Sequence, residues 1–119
     1  MKGPAQPGRQ ADANLAAAID RLWVRFLPEM WERVSILSSA ASAVSAKTLT
    51  GQECKAAQAA AHKLAGVLGT FGLTAGTVLA RKLEMHFSRE GGPDSDFGPR
   101  LLEVVAELQS MIDSRQSPP

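Results

Sequence analysis

Three side chains in this chain of 119 residues could act as nucleophiles or as soft ligands: Cys54, His62 and His86. An imidazole can be neutral at physiological pH and can accept a group on a ring nitrogen, so a histidine standing in water is a candidate acceptor. On a helical wheel, Cys54, Ala57, Ala61, Leu64 and Leu68 form one apolar stripe, and His62 lies well off it, on its flank. Gly66 follows His62 by one turn and Gly69 by two, both on the same side. Glycine inside a helix costs about 1 kcal/mol relative to alanine, and a chain in which about one residue in six is Ala could have placed one at 66. The inference is that Gly66 clears a dent beside an exposed imidazole, so that a phosphoryl group or another protein's backbone can approach. The ordinary alternative is a solvated helix histidine with no chemistry.

Cys54 falls on the core stripe and is expected to behave as a small hydrophobe. His86 lies close to the Leu79–Leu83 stripe near a helix end, where an imidazole packs or meets the last carbonyls. The three residues have none of the spacings that metal sites use, so no metal is expected.

The elements that must position His62 are helices. Leu15, Ile19, Leu22, Phe26, Met30, Val34, Leu37, Ala41 and Val44 follow one another at steps of three or four. Pro28 has no amide hydrogen and its ring collides with the carbonyl of Val24, which predicts a short leading helix followed by a long one. Thr50 with Glu53 reads as a capping box opening the His62 helix, and Gly69 and Gly72 bracket its end. Thr74 is expected to cap a helix carrying Leu79, Leu83 and Phe87, which stops before Gly91, Gly92 and Pro93. Asp94 or Ser95 should cap the last, with Phe97, Leu101, Val104, Leu108 and Ile112 on one face. The fold class expected is all-α: an antiparallel four-helix bundle with a short additional N-terminal helix. Residues 12–114 form the domain, with flexible tails at 1–11 and 115–119. Trp23 and Trp31, beside the first stripe, are read as the edge of the core in preference to a docking face for a partner, and Phe71 as a plug for one end of the bundle.

Composition narrows the function. Thirteen basic and twelve acidic side chains give a net charge of +1, with no basic block interleaved with aromatics, so nucleic acid is not expected as a partner. One cysteine excludes an internal disulfide and fits a reducing compartment, with the cytoplasm the default. No run nears the roughly eighteen apolar residues of a membrane span, and MKGPAQPGRQ lacks the apolar core of a secretory signal, so no membrane association is expected.

The stretch Ala61-His62-Lys63-Leu64-Ala65-Gly66-Val67-Leu68-Gly69-Thr70-Phe71-Gly72-Leu73, followed by Leu79-Ala80-Arg81-Lys82-Leu83-Glu84, resembles the signature of histidine-containing phosphotransfer (HPt) domains. The resemblance extends from about Leu15 to Ile112, and its subtype looks most like modules attached to bacterial response regulators. It implies that His62 is the phospho-acceptor, taking a phosphoryl group from a receiver-domain aspartate and passing it to another receiver. The chain would then be a phosphocarrier and not an enzyme in the usual sense. Its partners would be response-regulator receiver domains or a hybrid histidine kinase, met as a monomer. No cofactor is implied, because the magnesium ion and its acidic pocket belong to the receiver. Glu84 falls where the family often has Gln or Glu holding the imidazole, or else it is an ordinary exposed carboxylate. Gly66, Gly69 and Lys63 complete the supporting set.

In one place the chain departs from the family. HPt domains commonly carry Lys three residues after the histidine, and here Ala65 stands there. Lys63 is about 100° around the helix and Lys55 is two turns away on the same side. An exposed ammonium near a phosphoryl group is worth on the order of 1 kcal/mol, roughly fivefold in rate, so Ala65→Lys is expected to accelerate phosphorylation. The rival reading is a helical interaction module that binds receiver or other signalling domains and is never phosphorylated.

Overall fold

The computed structural model describes residues 7–116, and these form four α-helices and one short 3-10 turn, with no strand among the described residues. The helices are α1 (Pro7–Ala46), α2 (Gly51–Thr70), α3 (Thr74–Ser88) and α4 (Gly98–Gln116), and the 3-10 turn spans Ser95–Phe97. Short connections force sequential helices to run antiparallel. The contacts follow that rule. Cys54 at the start of α2 meets Phe87 at the end of α3, and Thr77 near the start of α3 meets Ala65 on the later part of α2. Arg115 at the end of α4 reaches back to Asp20 on α1. α2 packs most closely on α3, and α1 joins the pair to α4, which closes the ring against α3. The expected all-α bundle is the fold found.

Its core is built from the apolar stripes: Trp23, Met30, Val34 and Leu37 of α1, Ala57, Ala61, Leu64 and Leu68 of α2, Leu83 and Phe87 of α3, and Leu101, Leu108 and Ile112 of α4. Among the described residues no polar or charged residue is buried. Small side chains on α2, including Ala57, Ala60, Ala61 and Ala65, let its backbone come close to its neighbours. Trp23 lies inside the core, not at its edge. It meets Phe71 edge-on, 5.1 Å between ring centroids, so Phe71 does close that end of the bundle.

Two expectations about helix boundaries are corrected. Pro28 does not divide the first segment: it lies inside a continuous 40-residue α1, so there is no separate leading helix. The carbonyl deprived of its partner belongs to Val24, which is exposed, as is Pro28, so water can satisfy that oxygen. Packing on both sides of the proline, at Trp23 and Met30, holds the helix through it. The helical region also starts before Asp12, at Pro7, and runs past Ser114 to Gln116. The outer parts of the expected tails, residues 1–6 and 117–119, lie outside the described residues.

The caps differ in detail from expectation. The box at α2 forms, with Thr50 Oγ1 accepting from the Glu53 amide at 3.1 Å and Glu53 Oε1 accepting from the Thr50 amide at 2.9 Å. Thr74, however, is the first helical residue of α3, and Leu73 holds the cap position without a side-chain bond. Asp94 precedes the 3-10 turn, also without a side-chain cap. α4 opens at Gly98, where a β-carbon would stand 2.8 Å from Ser45 Cα, so only glycine lets α4 start against the end of α1.

Candidate functional site

His62 sits on the middle of α2 with Ala61 buried on one side and its own side chain 72% exposed. The off-stripe position read from the wheel therefore places the imidazole in water. Opposite it, α3 runs antiparallel, and Glu84 projects from the flank of that helix with its side chain 26% exposed. Glu84 Oε2 lies 2.8 Å from His62 Nδ1. A carboxylate accepts and does not donate, so the proton of this bond resides on Nδ1 and the lone pair of the ring is left on Nε2. One contact thus fixes both the orientation of the ring and its tautomer. Of the two readings left open for Glu84, the one in which it holds the imidazole matches this geometry.

Gly66 and Gly69 occupy the exposed surface beyond His62, but they are not equivalent. A β-carbon at 66 would meet nothing within 4 Å, whereas one at 69 would stand 3.5 Å from Thr77 Oγ1. No neighbour within the chain needs glycine at 66, so the space there is free for a group from outside. Thr70 Oγ1 donates to the Gly66 carbonyl at 3.0 Å, which ties down the helix end beside it. Gly72, at φ 76°, makes the left-handed turn that starts α3 back along α2 and so brings Glu84 opposite His62.

Ala65 is 3% exposed, wedged at the α2–α3 contact where its carbonyl accepts from Thr77 Oγ1 at 3.4 Å. A lysine at 65, expected to speed phosphorylation, meets a packing cost here. A four-carbon stem in that slot would overpack the helix pair, at a cost of about 1–3 kcal/mol, before its ammonium reached water.

The imidazole borders a shallow hollow of about 320 Å³ lined by Lys55, Gln58, Ala59, His62, Lys63 and Glu84. Lys63 thus lines the hollow beside His62. Gln58 and Ala59 were missed by the sequence reading, and Lys55 was placed only on the same side. The available signal was the direction of helical side chains, which lean toward the N-terminus and set a residue over the turn before it. His62 therefore covers the level of Gln58 and Ala59, and the hollow opens on that side, away from Gly66 and Gly69.

The remaining candidates have structural roles. Cys54 is half-buried and its Sγ donates to the Phe87 carbonyl at 3.1 Å, capping the end of α3. His86 lies against Phe97, 5.2 Å between ring centroids. Among the described residues no group of three or more His, Cys, Asp or Glu could hold a metal ion. Among the described residues no helix is long and apolar enough to cross a membrane.

Comparison with known proteins bears on the family of the chain. A family model described as "Hpt domain" matches residues 21–117. Protein RcaC of Microchaete diplosiphon is 34% identical over 97 residues, which cover 82% of this chain and 15% of RcaC. The chain thus spans less than a sixth of the length of that relative. No solved structure matches the chain.

Proposed function

Because the chain belongs to the Hpt domain family, modules that carry phosphoryl groups in phosphorelays and are not enzymes in the usual sense, we propose that His62 is its phospho-acceptor. The observation that carries the proposal is the bond between Glu84 and Nδ1, which leaves Nε2 as the nucleophile on an exposed ring.

The lone pair of Nε2 attacks the phosphorus of an aspartyl phosphate on a receiver domain. The N–P bond forms as the P–O bond to the aspartate breaks, and the aspartate leaves as a carboxylate. The imidazole acquires positive charge as it attacks, and Glu84, 2.8 Å from Nδ1, stabilises that charge while keeping the Nδ1 proton in place. The reverse step passes the group to the carboxylate of a second receiver. The donor and acceptor are receiver domains of response regulators or of a hybrid histidine kinase. The open surface at Gly66 admits the partner's backbone, and the carrier works as a monomer in the cytoplasm. It needs no cofactor of its own, since the magnesium ion belongs to the receiver.

The test is transfer of labelled phosphate from a panel of phosphorylated receivers and, independently of any receiver, from the small N–P donor phosphoramidate. Wild type should take up label and His62→Gln should not. Absence of label on wild type from every donor, or equal labelling of His62→Gln, overturns the proposal. Ala65, standing where the family commonly has Lys, favours a second reading in which the chain only binds receivers. Binding of a receiver without label from any donor would establish that reading instead.

A further inference from the structure

We propose that the ammonium groups of Lys55 and Lys63 hold the phosphoryl oxygens of phosphorylated His62, in the hollow on the N-terminal side of the ring. This assignment rests on His62 being the acceptor. The first observation is the hollow itself, in which Lys55 and Lys63 share walls with His62 and Glu84. The second is that neither lysine takes part in any of the ion pairs formed among the described residues, whereas Glu84, the carboxylate of the hollow, is engaged with Nδ1.

Electrostatics gives the pair a purpose. A phosphoryl group brings up to two negative charges beside a carboxylate that is needed to hold the ring, and like charges at such range repel. Two unpaired cations offset them. A lysine three positions after His62 is absent, and the slot there is filled by packed Ala65. The charge has to come from the other side, and the geometry permits it. Lys55 is seven residues before His62, about 10 Å along the axis at 1.5 Å per residue, and the two side chains line one hollow, so the four-carbon stem of Lys55 has that span to cover toward the phosphoryl group. Lys63 follows His62 directly and approaches from the side, 100° around the helix. Ala59, exposed between them, leaves the floor clear.

The experiment uses the intact chain and phosphoramidate, a donor too small to report on protein docking. Lys55→Gln and Lys63→Gln should each slow labelling of His62 by about two- to fivefold, and the double variant by more than either. Arginine at each position should restore most of the rate. A structural role would not move a second readout: the midpoint of the phosphoryl group's last ionisation, followed by phosphorus NMR, should rise in the glutamine variants, since cations nearby favour the dianion. If wild type takes up label while the double variant matches its rate and midpoint, the lysine assignment is overturned and the carrier reading stands. Slower labelling with an unmoved midpoint and no rescue by arginine also overturns it. If wild type takes no label, the carrier reading fails first.

Discussion

At position 66 the chain accepts a helix penalty with nothing inside the molecule to explain it. A β-carbon there would meet no atom within 4 Å, and the backbone is ordinary α-helix. Alanine should therefore fit without strain and raise stability by about 0.5–1 kcal/mol, measured by urea unfolding. If the clearance serves a docking partner, Gly66→Ala should at the same time slow transfer from a phosphorylated receiver and leave labelling by phosphoramidate unchanged. Equal slowing with both donors would place the effect on the imidazole and remove the docking explanation. At this scale the sequence was most readable: the off-stripe position of His62, the glycine after it and the family spacing to Glu84 could all be read from residue types. What could not be read was the partner of the ring: nothing local to α2 says that Glu84 Oε2 lands on Nδ1 and not on Nε2.

α1 is where reasoning by element and the folded chain part company. Proline inside a helix costs about 3 kcal/mol relative to alanine in isolation, and local sequence therefore argues for a break at Pro28. Packing overrides it, because Trp23, Met30 and Val34 are fixed on the same core face before and after the proline, and the orphaned Val24 carbonyl is on the wet side. Pro28→Ala should raise the unfolding free energy by about 1–3 kcal/mol with no more than a trace of added helicity by circular dichroism. A large gain in helicity would mean that α1 is broken at this point. The other helices were located from sequence because their signals are local: a capping box at Thr50, a left-handed glycine at Gly72, and Gly91 and Gly92 after α3.

The whole molecule is longer than a compact bundle, 69 Å against 23 and 20 Å, with a radius of gyration of 17.9 Å. About 14 Å is expected for a compact chain of this length. The excess comes from α1, whose first turns run beyond the ends of α2, α3 and α4 and leave Leu15 60% exposed. The bundle is closed where Arg115 pairs with Asp20 at 2.8 Å and stacks over Trp23 at 5.2 Å. Removal of residues 1–17 should therefore change the unfolding free energy by no more than about 0.5 kcal/mol, lower the radius of gyration seen by X-ray scattering, and leave labelling of His62 intact. A loss of several kcal/mol would show that the extension is part of the folding unit.

Local rules, each written in a few neighbouring residues, were enough to determine the helical class, the family spacing around His62, the turn glycines and the capping box, because helix period and turn chemistry act over one or two turns of chain. The tertiary structure decided what depends on residues far apart in sequence. The approach of α3 to α2 buried Ala65, set Glu84 on Nδ1 and so left Nε2 open, and supplied Glu84 as the far wall of the hollow that Lys55 and Lys63 line. Burial and hydrogen-bond partners are properties of two surfaces in contact, and no single helix carries the information for both.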